Sequence, residues 1–175
     1  MRPLAAGLVA RVREIFRLDW HGIHGAGHWA RVAFHGRALA LQLGVDPRIP
    51  QLFALLHDSH RRHDGHDRDH GPRAAEFVEG LHRERLIPLS LRPLAWLVQA
   101  CHGHSDGHRD APLAVQVCWD ADRLDLGRVG IRPDPWRLCT TPARNAALIE
   151  RAWRWSQGDA LVPGKRPWEA NEIRE

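Results

Sequence analysis

Apolar residues recur at helical spacing through most of the chain and predict a succession of α-helices. In the first of them, Leu4, Leu8, Val12 and Ile15 fall about 3.6 residues apart, with arginines on the other face. The same spacing predicts further helices over 28–43, 50–57, 71–86, 91–101, 112–126 and 141–153. Period-two alternation, the mark of a half-buried strand, never lasts, and β-branched residues are sparse. The pattern therefore predicts an all-α fold.

Glycine and proline interrupt this pattern without dividing it into separate domains. The chain has 175 residues, of which 43% are hydrophobic, which is enough for one domain with a substantial core. We expect a single-domain helical bundle over 1–157 and a polar, proline-containing tail over 158–175. No apolar run reaches the roughly 18 residues of a membrane span. The N-terminus also lacks the pattern of a secretory signal, so we expect a cytoplasmic protein with no membrane partner.

The charge and the histidine content narrow the chemistry. The formal net charge of +4 favours an anionic partner such as a phosphate ester or a nucleic acid. The positive charge is spread along the chain and no nucleic-acid-binding motif is present, so nucleic acid is the less favoured partner. Three scattered cysteines do not suit a disulfide framework or a paired-cysteine zinc site. Histidines number 13, and ten of them lie between His21 and His82.

The first candidate site is the pair His57-Asp58, which ends the strongly apolar turn Leu55-Leu56. Burying two such groups without partners would be costly, so they need an opposite charge or a coordinated cation. An imidazole and a carboxylate together suit a divalent transition ion. The alternative is an ordinary helix end, at which His57 caps carbonyls and Asp58 is solvated.

Two further segments carry candidate ligands. Asp120 and Asp122 follow an apolar helical stretch and point about 200° apart on a helix, so one can face inward, and the period does not say which. The alternative there is an exposed helix end with an Arg123 salt bridge. His28 begins a helix whose next turns are apolar, and His35 lies near the same face. For both histidines the alternative is a buried, hydrogen-bonded ring.

Taken in this order, His28, His57-Asp58 and the string Ala121-Asp122-Arg123-Leu124 resemble the HD-domain superfamily of metal-dependent phosphohydrolases, particularly its small stand-alone bacterial members. The resemblance implies an HD-type helical bundle over 1–157. It also implies one divalent ion, of Mn, Fe, Ni, Co or Zn, held by His28, His57, Asp58 and Asp122. Asp120 is then an alternative ligand or a catalytic neighbour. Positions left open on the ion would admit water and a phosphate oxygen.

The function implied by the resemblance is hydrolysis of a small phosphorylated compound, such as a nucleotide, by metal-activated water. Asp58, Arg61 and Asp120 are the expected catalytic residues, and Arg61 stands where many members carry a lysine. A guanidinium there can grip phosphate with two hydrogen bonds. The alternative is an HD scaffold that binds a nucleotide as a regulatory module without turnover.

His70, His102 and His104 resemble the additional histidines of dinuclear HD phosphodiesterases. The loop from Asp58 to His70 is shorter than in those enzymes, and His102 and His104 are not adjacent. We therefore expect one ion, with these three histidines contacting the phosphate or donating protons.

Overall fold

The computed structural model describes residues 6–158, and within them the chain forms seven α-helices, two short 3-10 helices and no strand. The prediction of an all-α fold is confirmed. Beyond Gly158, the predicted tail lies outside the described residues. The α-helices are α1 (Ala6–Ile15), α2 (Ala26–Leu43), α3 (Arg48–Leu56), α4 (His70–Arg83), α5 (Leu91–Gly103), α6 (Leu113–Arg123) and α7 (Ala146–Ser156). The 3-10 helices cover Leu126–Val129 and Pro135–Arg137.

Helix α3 forms the centre of the bundle and packs against α1, α2, α5 and α6. Nearly all of its residues are buried, which explains why its sequence is apolar on every side rather than on one stripe. Phe53, Ile49 and Leu56 are its largest fully buried side chains. Helices α2 and α3 can approach closely because Gly36 has no side chain. A Cβ at this position would lie only 2.6 Å from Cβ of Pro50. A larger side chain at Gly36 would therefore push the two helices apart.

Helices α2 to α6 begin within two residues of the predicted positions, whereas α7 begins five residues later than predicted. Helix α3 begins at Arg48, two residues before Pro50, where the Asp46 carboxylate accepts a hydrogen bond from the Arg48 amide at 2.9 Å. Helix α7 begins at Ala146 rather than at Thr141-Pro142, because the Asn145 side chain accepts from the Leu148 amide at 3.1 Å. Asparagine is among the strongest N-caps and thus sets the start of α7.

The ends of five helices meet at one end of the bundle. They are the N-termini of α2 and α4 and the C-termini of α3, α5 and α6, and their polar residues are buried there. A second, smaller apolar cluster holds α7 against α2 and α6. No described helix is both long and apolar enough to cross a membrane.

Candidate metal centre

His28, His57, Asp58 and Asp122 meet at this end of the bundle, although they are far apart in the chain. His28 is in the first turn of α2, His57 and Asp58 directly follow α3, and Asp122 is in the last turn of α6. The Nε2 atoms of His28 and His57 are 3.0 Å apart. His28 Nε2 lies 3.5 Å from both Asp58 Oδ2 and Asp122 Oδ1. All four side chains are buried. These distances show that the structure brings together the four residues predicted as metal ligands.

The two imidazoles are held with the same nitrogen facing inward. His28 Nδ1 donates to Asp125 Oδ2 at 2.7 Å, and His57 Nδ1 donates to the Phe53 carbonyl at 3.0 Å. Because both partners are acceptors, Nδ1 carries the hydrogen and Nε2 is left with a lone pair. Two lone pairs therefore face each other across 3.0 Å.

A cation would satisfy the atoms that meet at this point. Asp58 Oδ2 and Asp122 Oδ1 are buried and have no hydrogen-bond partner. Such atoms are costly to bury unless they are paired. Ligands about 2.1 Å from a divalent ion and at right angles around it are about 3 Å apart, which matches the spacing of the histidine nitrogens. The donor set of two imidazoles and two carboxylates thus fits a divalent transition metal ion.

A second set of ligands meets the other oxygen of Asp58. His70 is the first residue of α4 and His104 directly follows α5, and their Nε2 atoms are 2.7 Å apart. Asp58 Oδ1 lies 3.3 Å from His70 Nε2 and 3.5 Å from His104 Nε2. His104 Nδ1 donates to the Cys101 carbonyl at 2.8 Å, and His70 Nδ1 donates to the Asp67 carbonyl, so both Nε2 atoms are directed at Asp58. Burial alone would lower the pKa of His104, but Asp58 outweighs it and raises that pKa.

The Asp58 carboxylate therefore lies between two groups of ligands and presents one oxygen to each. The groups His28–His57–Asp58 and Asp58–His70–His104 each bring their ligand atoms within 4.8 Å of one another. The sequence favoured one ion with His70 and His104 as substrate contacts. Asp58 would be available to an ion in each group, and a third group, His57–His104–Asp122, joins the two.

A glycine makes the second group possible. A Cβ at Gly71 would lie 2.4 Å from the carbonyl oxygen of His102 and 3.0 Å from that of Cys101. Only glycine allows the start of α4 to approach the end of α5 so closely, because any side chain would collide with backbone. Gly71 thereby places His70 beside His104.

Two arginines face the carboxylates from outside the ligand groups. Arg61 Nε donates to Asp58 Oδ1 at 2.9 Å, as expected for a residue three positions beyond Asp58. Arg128 Nη2 lies 3.6 Å from Asp122 Oδ1, and its buried Nε has no hydrogen-bond partner. Burial alone would raise the pKa of Asp122, but Arg128 and the nearby histidines outweigh it and lower that pKa to about 2. Asp122 is therefore an anion at neutral pH.

Burial lowers the pKa of His57, whereas it would raise that of a carboxylate. Desolvation lowers the His57 pKa to about 3, against the attraction of Asp58 and Asp122, so the ring is neutral at neutral pH. Metal ions bind neutral imidazole and ionised carboxylate. The centre thus presents these ligands in the protonation states that a metal requires.

The geometry corrects the prediction for Asp120. Its carboxylate is fully buried on the other side of α6 and accepts from the Cys139 amide at 2.6 Å, the Thr140 amide at 2.8 Å and Thr140 Oγ1 at 2.7 Å. It belongs to none of the metal-ligand groups found in residues 6–158. Asp120 fastens the segment after the second 3-10 helix to α6, whereas Asp122 faces the metal centre.

His102 is the second predicted site residue that the structure places elsewhere. Its side chain is exposed and lines a cavity with Glu79, Asp106 and Trp119. His104, two residues later and past the end of α5, is the one that turns inward. A role for His102 in contacting substrate at this centre is therefore not supported.

Two residues at the centre were not assigned from the sequence. Asp125 accepts from His28 Nδ1 and also from Arg31, whose Nε lies 2.5 Å from Asp125 Oδ1. Asp125 is three positions after Asp122 and Arg31 three after His28, a spacing that puts side chains on one helix face. That spacing was a signal from which both could have been found.

His35 shares a helix face with His28 but lies outside the centre. Its ring is buried, has no hydrogen-bond partner, and packs edge-on against Phe34 and Trp155 at 5.7 and 5.5 Å between ring centroids. Burial lowers the pKa of His35 to about 4. It behaves as a neutral core residue.

The comparisons with known proteins agree with this site. The sequence profile of the HD domain matches residues 25–127, a range that includes His28, His57, Asp58 and Asp122. The chain therefore belongs to the HD-domain family, a family of metal-dependent hydrolases. The structure is similar to the 1.45 Å crystal structure of a predicted HD superfamily hydrolase from an uncultured Thermotogales bacterium, with a TM-score of 0.67, 25% identity and 87% of each chain covered. Curated proteins gave no significant match.

Proposed function

We propose that the protein is a metal-dependent phosphohydrolase that acts on a small phosphorylated compound, with nucleotides as the first candidates. The observation that carries the proposal is the set of unpartnered atoms around Asp58. Asp58 Oδ2 and Asp122 Oδ1 have no hydrogen-bond partner and lie beside the Nε2 atoms of His28 and His57, and the Nε2 atoms of His70 and His104 lie beside the other oxygen of Asp58. Buried carboxylate oxygens and imidazole nitrogens grouped in this way are expected at a catalytic metal centre rather than in a structural core.

The ligands divide between two ions in this proposal. His28, His57, Asp58 and Asp122 would hold one ion, and Asp58, His70 and His104 would hold the other. When bound, a divalent ion lowers the pKa of coordinated water from about 15.7 towards 7 and neutralises charge on the phosphoryl oxygens. The metal's identity within the series Mn, Fe, Ni, Co and Zn is left to experiment.

The chain's own residues orient the ligands and the substrate. Asp125 holds the His28 ring by its Nδ1 hydrogen, which keeps Nε2 directed at the centre. Arg61 is held by Asp58 through Nε and by the Gly65 carbonyl through Nη1, so its Nη2 group can bind phosphate oxygens. Arg128 offers a second guanidinium beside Asp122. Together the two arginines balance the charge of a phosphoryl group at the centre.

Phosphate release and metal content, measured together, test this function. The purified chain would be loaded with Mn²⁺, Co²⁺ or Ni²⁺ and assayed against nucleotides, phosphomonoesters and phosphodiesters. His57→Ala removes a buried ligand, and His63→Ala, in the exposed part of the loop after Asp58, is the matched control. We expect release by the wild type and by His63→Ala and none by His57→Ala.

Two outcomes would overturn the proposal. If the wild type binds no metal and releases no phosphate from any compound, the protein is not this kind of enzyme. If it binds a nucleotide tightly and leaves it chemically unchanged over hours, the regulatory-module alternative replaces the enzyme.

A further inference from the structure

A strongly basic cavity of about 400 Å³ lies beside the metal centre. Its walls are the C-terminal end of α1, the residues directly after Asp58 and the first turns of α4, all at the end of the bundle where the ligands meet. Four arginines and a histidine line it, together with one acidic residue: Arg17, Arg61, Arg62, Arg73, His60 and Glu14.

Two of these arginines carry charges that no acidic group balances. Arg61 pairs with Asp58, and Arg73 Nη2 pairs with Asp67 at 2.6 Å. The guanidinium groups of Arg17 and Arg62 are exposed and have no ion-pair partner in the part of the chain that the structure describes.

The other charges in the wall do not compensate this excess. Glu14, the acidic residue of the wall, is paired with Arg11 at 3.0 Å.

Arg61 connects the cavity to the metal centre. Its Nε donates to Asp58 Oδ1, and its Nη1 donates to the Gly65 carbonyl at 3.1 Å, so the side chain is fixed from both sides. The same guanidinium lines the cavity. An anion in the cavity would thus be next to the group that contacts the bridging carboxylate.

We propose that this cavity binds a second phosphate group of the substrate, so that the preferred substrate carries a chain of two or more linked phosphates rather than a single phosphate ester. The inference rests on the proposed function, because one phosphate must lie at the metal centre. Guanidinium groups bind phosphate oxygens through paired hydrogen bonds, and Arg17 and Arg62 are free to do so. A single phosphate bound at the centre would leave both of their charges unused.

Calorimetric binding of inorganic tripolyphosphate and orthophosphate to the full chain tests the inference without requiring turnover. The variants are Arg17→Gln and Arg62→Gln. The control is Arg92→Gln, an exposed arginine in the first turn of α5, at the opposite end of that helix from His104. We expect tripolyphosphate to bind at least about tenfold more tightly than orthophosphate, and each cavity variant to remove about tenfold of that affinity. Arg92→Gln should leave both affinities unchanged.

Two results would overturn the inference. One is equal affinity for the two anions in the wild type. The other is equal weakening of both anions in the cavity variants, which would indicate general charge attraction instead of a second phosphate position. Thermal unfolding of each variant checks that folding is intact. Because the three replaced arginines are exposed, we expect their Tm values to match that of the wild type.

Failure of the proposed function gives a different pattern. In that case no compound releases phosphate, yet tripolyphosphate binding still depends on Arg17 and Arg62. Conversely, if the protein releases phosphate but its binding of tripolyphosphate does not depend on Arg17 and Arg62, the inference about the cavity is wrong and the proposed function stands. With active protein, the two variants should raise KM for a nucleoside triphosphate and not for its monophosphate.

Discussion

Asp120 and Asp122 are two residues apart on α6, and replacing each with asparagine should have opposite consequences. Asp122 presents an unpartnered oxygen to the metal ligands, whereas Asp120 binds backbone and hydroxyl donors away from them. We therefore expect Asp122→Asn to lose metal and to keep the hydrogen bonds that hold the segment after the second 3-10 helix. Asp120→Asn should keep metal and lose stability.

The magnitude for Asp120→Asn follows from its three hydrogen bonds. An amide retains one accepting oxygen and turns its NH2 group toward a donor, so at least one charge-assisted bond from Cys139 or Thr140 is lost. Such a bond contributes about 1.5–3 kcal/mol, and the stranded donor adds a similar cost. Relief of the buried charge, which raises the pKa of Asp120, offsets part of this. We expect the free energy of unfolding to fall by roughly 2–4 kcal/mol and the Tm by roughly 4–16 °C.

The magnitude for Asp122→Asn concerns the metal. Loss of a group that only orients a ligand typically costs 10–100-fold in affinity, so loss of an anionic ligand itself should cost at least about 100-fold. The metal-free variant loses the attraction between Asp122 and Arg128, which helps to lower the Asp122 pKa from 3.8 to about 2, so its free energy of unfolding at neutral pH should fall by up to about 2 kcal/mol.

Metal content after dialysis and urea unfolding in chelator measure the two effects separately. The reasoning is refuted if Asp120→Asn loses metal at normal stability. It is equally refuted if Asp122→Asn keeps full metal content.

Three further substitutions test other parts of the structure. Gly71→Ala should push α4 away from α5, because its Cβ would lie 2.4 Å from a carbonyl oxygen. The variant should therefore bind one metal ion per chain instead of two, and a ratio that stays at two would contradict this. Asp125→Asn should weaken metal binding by about 10–100-fold in a chelator competition, because His28 loses the acceptor that orients it, and unchanged affinity would count against that role. His35 has its pKa lowered from 6.5 to about 4 by burial, so the unfolded chain takes up its proton first as the pH falls. The free energy of unfolding should therefore drop by up to about 3 kcal/mol between pH 6.5 and pH 4, and His35→Phe should remove that part of the slope in chelator-treated protein; an undiminished slope would show that another group is responsible.

The helices were predictable because each buries one face, and burial repeats with the helical period. Their ends depended on single caps such as Asn145, which a periodicity analysis ignores. At His57-Asp58 the residue types alone left two interpretations open, a cation site and an ordinary helix end. The family resemblance supplied the set of four ligands.

The remaining parts of the site depend on contacts between distant segments. That Asp120 and Asp122 point apart was readable from the helix, but the choice between them is made by Thr140, which binds Asp120 from twenty residues away. The approach of His70 to His104 depends on the contact that Gly71 permits between two helix ends, and no local pattern reports such a contact. His102 was an error of the same kind, since only two residues at the end of α5 separate the exposed His102 from the buried His104.

Anomalous diffraction from crystals grown with Mn²⁺, recorded above and below the manganese absorption edge, tests the central claim most directly. The account predicts two peaks on either side of the Asp58 carboxylate, one among His28, His57 and Asp122 and the other beside His70 and His104. Manganese bound elsewhere on the chain, with no peak between His28, His57 and Asp122, would contradict it.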